Sequence, residues 1–370
     1  METPAQVAAL VIVCGFALAL VFGAVAQKTD FCTMGAVSDV INMGDWSRMR
    51  MWLLAIAVAI AGANVLDLAG LVDLSRSAYP APQWPWLAYL VGGLLFGVGM
   101  TLASGCGSRS LIRIGGGNLK SLVAMMFLAL TAQMTLRGLL APTRMEVLGV
   151  LAVKFDQGQD LSWLLAVLLG IGKRSVQPWI AAGSALGLLL FVLKDRAFRA
   201  DHERLIASVV IGLIIVGGWY VTGHLGFIAE DPETLEEAYV GTRTLRPESF
   251  TFIGPAANTL ELLQFWTDKS ARMTFGVAVV LGTLVGAFAY AIFKRRFHWE
   301  NFASAADTRN HVIGGALMGF GGVTAMGCTI GQGITGLSTL ALGSILVFFS
   351  IIAGAAVTMK IQYRCMLKAG

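Results

Sequence analysis

The composition of this 370-residue chain excludes an ordinary soluble protein. Hydrophobic residues make up 56% of the sequence and charged residues 13%, about half of the charged share of a typical soluble domain. The mean hydropathy is +0.73 and the formal net charge is +5. Because Lys and Arg gather at the ends of apolar segments, this charge indicates a membrane interface and argues against a nucleic-acid partner. We therefore expect an all-α polytopic membrane protein that contacts lipid.

Apolar segments long enough to cross the roughly 30 Å hydrocarbon core recur along the whole chain. No basic residue precedes the first segment, 7–26, so we interpret it as a retained span and not as a cleaved signal. Charged residues interrupt 143–172, and we expect its halves, 145–153 and 161–172, to be interfacial or partly inserted helices. The nine predicted spans cover about 7–26, 50–70, 86–104, 119–141, 178–193, 204–222, 273–293, 311–326 and 339–359.

The distribution of basic residues predicts the orientation. With the N-terminus outside, the predicted inner segments hold more Lys and Arg than the outer ones, including the cluster Lys294-Arg295-Arg296. The N-terminus is then outside the membrane and the C-terminus inside. The loop 223–272, which is rich in Glu, lies outside.

One region must contain a break in the membrane. Residues 312–359 carry no charge, and as one helix they would be about 72 Å long, more than twice the hydrocarbon core. Glycines surround Cys328 in this run, and the stretch 104–108 around Cys106 is similar. Non-helical backbone survives at membrane depth only where protein or water satisfies its polar groups. We expect re-entrant loops that bear these cysteines.

A short pattern occurs three times. An aromatic residue or Met is followed by Gly, and Cys stands nine residues after the Gly. In addition, a shift of 222 positions aligns 92–106 with 314–328, with eight identities. We interpret this as internal duplication, which gives two inverted four-helix repeats and a linking helix, with a solute site where the repeats meet. The predicted domains are 1–141 (first repeat), 142–203 (linking segment) and 204–370 (second repeat, with the outer loop). The three copies of the pattern are Phe22-Gly23…Cys32, Phe96-Gly97…Cys106 and Met318-Gly319…Cys328.

The three motif cysteines are the main candidate site, whereas Cys14 and Cys365 have no pattern around them and are expected to have no special role. Neither the spacing of the cysteines nor that of the four histidines indicates a metal or a cofactor. No CxxC pair supports disulfide exchange. Recognition of a sulphur-bearing anion remains, because a buried thiol stays protonated and can donate a weak S–H hydrogen bond to a terminal sulphur atom. Two alternatives stay open: a membrane thiol oxidoreductase, and an accessory or scaffold subunit of a sulphur-trafficking complex.

Other residues near the cysteines complete the candidate site. Gly105 and Gly327 allow close approach of the backbone to a solute, and the side chains of Thr329 and Gln332 can form hydrogen bonds with it. Cationic side chains can draw an anion to the entrance. The substrate-binding candidates are Cys32, Cys106, Cys328, Gly105, Gly327, Thr329 and Gln332, and the candidate cations are Lys28, Arg109 and Arg113.

Several of these motifs resemble the YeeE/YedE sulphur-transport family. The similarity runs over nearly the whole chain, and the arrangement of three cysteines is fairly specific to the family. The matching stretches are Asp30-Phe31-Cys32-Thr33-Met34-Gly35-Ala36, Ser104-Gly105-Cys106-Gly107, Ser249-Phe250-Thr251-Phe252-Ile253-Gly254-Pro255 and Gly327-Cys328-Thr329-Ile330-Gly331-Gln332-Gly333.

The resemblance implies a transporter of the bacterial inner membrane, with a periplasmic N-terminus and a cytoplasmic C-terminus, and not an enzyme. It implies import of thiosulfate, relayed by the three cysteines through weak S–H···S contacts at the neck of an hourglass-shaped protein. It further implies a small cytoplasmic sulfurtransferase as a partner. Some members of the family are linked to selenium compounds instead.

Overall fold

The computed structural model describes residues 3–230, 235–268 and 271–369, without the side chains of 366, 368 and 369. Helices dominate, which confirms the predicted all-α membrane class. The helices are α1 (Pro4–Thr29), α2 (Thr33–Met43), α3 (Ser47–Leu68), α4 (Trp86–Leu102), α5 (Gly107–Gly115), α6 (Leu119–Arg137), α7 (Leu161–Leu169), α8 (Lys173–Leu193), α9 (Arg196–Ala200), α10 (His202–Tyr220), α11 (Ile253–Gln264), α12 (Phe275–Phe293), α13 (Ala305–Thr324) and α14 (Leu342–Ala369).

Short irregular and extended elements connect these helices. The strands form two antiparallel pairs, β1 with β2 and β3 with β4. The strands are β1 (Gln83–Trp84), β2 (Val153–Lys154), β3 (Phe227–Ile228) and β4 (Ala238–Tyr239), the 3-10 turn is Leu74–Arg76, and the π-helical turns are Thr143–Leu148, Val221–Leu225 and Gly331–Gly336.

Each of the nine predicted spans falls on a helix. Within the described ranges, eight helical segments are long and apolar enough to cross a membrane. The remaining prediction, 311–326, corresponds to α13, which is not among the eight because its polar first turns (Asp307 to His311) and its glycines lower its mean hydropathy. This helix nevertheless packs along α4 and α6 inside the bundle.

Glycines bring α4 and α13 into direct backbone contact. A Cβ atom added at Gly92 would lie 2.8 Å from the carbonyl oxygen of Gly321, and one added at Gly321 would lie 2.6 Å from that of Gly92. The pair Gly99 and Gly314 shows the same reciprocal contact, at 2.6 Å in both directions. Because the earlier glycine of α4 meets the later glycine of α13, the two helices run antiparallel. Small residues permit such close packing between membrane helices.

The other main helix contacts occur in matching pairs. Helix α1 packs along α12, and α10 packs along α3. Likewise α14 packs along α4, and α13 packs along α6. If the spanning helices of each half are counted in chain order, the first helix of one half packs on the second of the other (α1 on α12, α10 on α3), and the third packs on the fourth of the other (α4 on α14, α13 on α6).

The linking segment 142–203 differs in part from the prediction. The half 145–153 is a π-helical turn followed by β2, because the backbone of Val153 and Lys154 pairs with β1 instead of continuing a helix. The half 161–172 forms the short helix α7, as its length predicts. Between them, Gln159 is fully buried and its amide binds the Tyr79 carbonyl and the Gly343 N–H, both at 3.1 Å. The linking segment therefore fastens the start of α14 to the loop after α3.

Candidate functional site

Each of the three motif cysteines follows a break in a helix, and the backbone is the same at all three breaks. The residue two positions before each cysteine has a left-handed φ, which costs a non-glycine residue about 1–2 kcal/mol. The next N–H group then donates to the carbonyl five residues earlier, as at a Schellman helix end. The left-handed residues are Asp30, Ser104 and Met326, with φ of 51°, 55° and 57°, and the closing bonds join Phe31 N to Ala26 O, Gly105 N to Met100 O and Gly327 N to Gly322 O, at 3.2, 2.8 and 2.7 Å.

Each cysteine also begins the next helical segment. Unpaired N–H groups and the helix dipole at such an N-terminus stabilise a nearby anion. The thiols therefore lie where a negatively charged solute is favoured. The sulphur contacts are Gly35 N to Cys32 Sγ at 3.4 Å, Gly331 N to Cys328 Sγ at 3.3 Å and Cys106 Sγ to Ser108 Oγ at 3.3 Å.

The structure brings the three thiols into one buried region. Cys32 is 7% exposed, Cys106 1% and Cys328 0%. Cys106 lies within electrostatic range of both Cys32 and Cys328. All three are free thiols, as are Cys14 and the exposed Cys365. Within the described residues no group of three or more side chains could hold a metal ion.

The two polar candidates after Cys328 have different surroundings. The amide of Gln332 is bonded inside the protein: its nitrogen donates to the Ala325 carbonyl at 2.7 Å, and its oxygen accepts from Ser344 Oγ at 2.6 Å. The buried hydroxyl of Thr329, in contrast, has no hydrogen-bond partner among the described residues. Gln332 thus closes the helix break, whereas Thr329 keeps a free donor at the site.

Gly105 and Gly327 directly precede their cysteines. A Cβ atom at Gly327 would lie 3.0 Å from Cγ of Gln332, and one at Gly105 would lie 3.2 Å from Cγ of Arg109. Both glycines therefore make room for a side chain of the following segment. Approach of a solute to their backbone stays a prediction.

The three candidate cations differ in how close they come to the thiols. Arg109 lies within electrostatic range of Cys32, donates to Asp30 at 2.7 Å, and has a buried Nη1 without a partner among the described residues. Arg113 donates to the carbonyl of Ser104 at 3.2 Å and so closes that helix break. Lys28 is half exposed and pairs with Glu203 at 3.5 Å. Arg109 is thus the cation that acts on the site most directly.

The segment 249–255, which the sequence marked as a family element, lies against the Cys328 break. The Thr335 hydroxyl donates to the Phe250 carbonyl at 2.7 Å, and Thr251 Oγ1 would lie 2.5 Å from a Cβ atom at Gly331. This contact joins residues about 80 positions apart in the sequence and holds the break in place.

Two further polar groups at the site were not predicted. Thr33, which directly follows Cys32, is 1% exposed and its hydroxyl has no partner among the described residues. Trp52 is equally buried, its indole Nε1 likewise lacks a partner there, and its ring stacks on Phe31 at 4.7 Å between centroids. The shared Cys-Thr pair at Cys32 and Cys328 is a signal that could have identified Thr33, whereas the sequence around Trp52 gave none.

A cavity of about 770 Å³ reaches the site from the face where α14 ends. It extends to Met34, two residues after Cys32, and to Ser104, two residues before Cys106. The basic side chains of Lys360 and Arg364 also line it. The cavity therefore ends within two residues of Cys32 and of Cys106 in the sequence.

Comparison with known proteins agrees with this arrangement. The model of the sulphur transport family matches residues 28–357, which contain all three motif cysteines. The thiosulfate transporter TsuA of Escherichia coli (strain K12) is 30% identical over 335 residues, which cover 87% of this chain and 85% of that protein. The thiosulfate transporter TsuA of Spirochaeta thermophila is 26% identical over 358 residues, which cover 95% of this chain and 98% of that protein. The chain therefore belongs to the sulphur transport (YeeE/YedE) family of multi-pass membrane transporters, as its motifs predicted, and is not an enzyme.

Proposed function

We propose that this protein imports thiosulfate across the inner membrane of a bacterium. Two relatives that cover most of the chain carry the name thiosulfate transporter, and both align over 85% or more of their own length. The excess of basic residues on one side supports a periplasmic N-terminus and a cytoplasmic C-terminus. The 770 Å³ cavity then faces the cytoplasm.

The thiols of Cys32, Cys106 and Cys328 pass the anion along the path. The observation that carries this mechanism is that three buried thiols follow helix breaks of the same geometry, with Cys106 within electrostatic range of the other two. A neutral S–H group donates weakly to a soft terminal sulphur atom. Several weak sites in series permit passage, because no single site holds the anion too tightly.

The two halves, 1–141 and 204–370, form inverted repeats that meet at this path. The reciprocal glycine contacts of α4 with α13 support this proposal, because they relate the two helices by a two-fold axis perpendicular to their length. The matching helix pairs support it as well. A two-fold axis in the membrane plane is typical of transporters with a central solute site.

Import of a dianion needs a source of free energy. Against an inside-negative potential of 100 mV it costs about 4.6 kcal/mol, twice the value for one charge. Removal of thiosulfate by a cytoplasmic sulfurtransferase at the inner face would supply it. The basic cavity that ends at Lys360 and Arg364 is the exit to which such a partner would bind.

Uptake of radiolabelled thiosulfate into liposomes that contain the purified protein tests the function. We expect uptake by the wild type and a loss to background for Cys106→Ala and Cys328→Ala, with unchanged elution on size-exclusion chromatography. Full uptake by either variant would refute the relay, and no uptake by the wild type would refute the function. A mass change of the protein on reduction would favour the thiol oxidoreductase instead.

A further inference from the structure

Four buried threonine hydroxyls have no hydrogen-bond partner among the described residues: Thr33 and Thr329, each directly after a motif cysteine, and Thr283 and Thr324 in α12 and α13. Thr101, Thr135 and Thr358 each donate to the carbonyl four residues earlier, at 3.0, 2.7 and 2.8 Å. Such a bond satisfies a hydroxyl inside a helix. Thr33 and Thr329 have no such bond, although they are 1% and 0% exposed.

The helix breaks explain why these two hydroxyls are free. Thr33 is the first residue of α2, and the residue four positions before it is the last residue of α1. Thr329 likewise follows the Cys328 break, and the carbonyl four positions before it, that of Ala325, already accepts from Gln332. The helix break that positions each thiol therefore also leaves the neighbouring hydroxyl without the carbonyl acceptor that it would have inside a helix.

A third free donor lies between the two breaks. The Trp52 ring stacks on Phe31, which precedes Cys32, at an angle of 12°. The edge of its six-membered ring approaches the turn after Cys328, because a Cβ atom at Gly333 would lie 3.6 Å from Cζ3 of Trp52. The indole Nε1 is buried and has no partner among the described residues. Tryptophan N–H groups usually find a partner when they are buried.

We propose that Thr33, Thr329 and Trp52 form an oxygen-binding half of the solute site, which holds the oxygen atoms of a sulphur oxyanion while the thiols face its terminal sulphur. This inference rests on the proposed function. Hydroxyl and indole groups donate strong hydrogen bonds to oxygen, whereas a thiol is a weak donor. Thiosulfate has both oxygen atoms and a terminal sulphur atom, so it can bind the hydroxyl and indole donors and the thiols at the same time. Hydrosulfide would engage only the thiols, and sulfate only the oxygen-binding half.

The test uses variants that remove a donor and keep the shape. Thr33→Val and Thr329→Val replace a hydroxyl by a methyl group, and Trp52→Phe keeps an aromatic ring on Phe31. Each is expected to raise the half-saturation concentration for thiosulfate uptake into liposomes about tenfold, because each loses a hydrogen bond to a charged solute. The melting-temperature rise that thiosulfate causes in the detergent-solubilised protein should shrink in parallel.

The controls separate binding from folding. Thr358→Val removes a hydroxyl that is already bonded to Gly354, and Trp179→Phe changes an exposed tryptophan. Both are expected to leave the half-saturation concentration unchanged. Thr33→Ser should restore wild-type uptake because it keeps the hydroxyl. If a valine variant does not fold, the alanine variant at the same position replaces it.

Three results would overturn the inference. The first is an unchanged half-saturation concentration in all three donor variants while the wild type transports thiosulfate. The second is a defect that Thr33→Ser does not rescue. The third is a fall in maximal rate alone, with the thiosulfate-dependent rise in melting temperature kept. In each case the proposed function would survive, whereas a wild type that neither binds nor transports thiosulfate would refute both.

Discussion

The breaks at Cys106 and at Cys328 have the same backbone, but the first is lined by cations and the second by neutral side chains. In both, a side chain from the following segment returns to bind a carbonyl that the break leaves free. At the first break this is Arg113, which donates to Ser104 O at 3.2 Å. At the second it is the neutral Gln332, which donates to Ala325 O at 2.7 Å. Arg109 adds a second cation beside the first break, whereas the run 312–359 around the second is uncharged.

The difference shows how the same helix-break geometry is stabilised in two environments. The Cys106 break adjoins the 770 Å³ cavity through Ser104, where a partly exposed guanidinium keeps its hydration and adds positive charge. The segment 327–336 that follows the Cys328 break is buried throughout, and there a charge would have to be desolvated. A neutral amide fulfils the same structural role at lower cost.

The largest effect on stability is expected for Gln332→Leu. The change leaves a buried carbonyl and the Ser344 hydroxyl without their partner, at about 1–3 kcal/mol for each unsatisfied group. We therefore expect a free energy of unfolding lower by about 2–4 kcal/mol and a marked fall in melting temperature and yield. Gln264→Leu, on the exposed end of α11, is the matched control and should be nearly neutral. Equal melting temperatures for Gln332→Leu and the wild type would contradict the proposed difference between the two breaks.

Arg109→Gln tests whether the positive charge beside the Cys106 break promotes uptake of the anion. Removal of the cation beside Cys32 and Cys106 should slow thiosulfate uptake about tenfold at low ionic strength, because a positive site raises the rate of anion capture. The difference from the wild type should shrink as salt is added. Lys28→Gln, which removes a half-exposed cation paired with Glu203, is the control and should have little effect. A salt-independent defect in Arg109→Gln would indicate a structural role instead.

The carboxyl of Glu248 allows the uncharged surroundings of the Cys328 break to be tested by a change of pH. It directly precedes the segment 249–255 that holds the Cys328 break, and burial raises the pKa of its carboxyl from 4.5 to about 7. The folded protein therefore holds this proton more tightly than the unfolded chain, so stability falls as the pH rises from about 4.5 through about 7.

Glu248→Gln should remove this loss of stability. We expect the variant to melt at a higher temperature than the wild type at pH 8, with little difference near pH 5, in thermal unfolding followed across that range. The exposed Glu236→Gln should show no such trend. A melting-temperature difference that does not depend on pH would exclude titration of Glu248 as its cause.

The smallest effect is expected for Cys14→Ala. This thiol lies within α1, half-buried and away from any helix break, and packs as a small apolar side chain. Uptake and melting temperature should equal those of the wild type within error. A clear loss of uptake would show that position in a helix break is not what distinguishes the three motif cysteines.

Much of the fold was predictable, because hydropathy acts locally. The membrane class, the nine helices and the need for a break near Cys328 all follow from which residues are apolar and where charge is absent. The half 145–153 was less predictable, because its strand forms only against Gln83 and Trp84, about 70 positions earlier.

The candidate site shows the same division. The recurring pattern identified Cys32, Cys106 and Cys328, because a similar helix end requires a similar local sequence. Gln332 was ambiguous between binding a solute and closing the break, and only its contacts with Ala325 and Ser344 indicate the second role.

The sequence by itself determined that the chain lies in a membrane, where its helices break, and which thiols begin the segments after the breaks. Caps, glycines and hydropathy act over a few residues, so they can be identified without a structure. Only the tertiary structure decided that Cys106 lies within electrostatic range of both other thiols, that 249–255 holds Cys328, and that Trp52 spans two breaks. These contacts join residues far apart in the chain, so they follow only from how the helices pack.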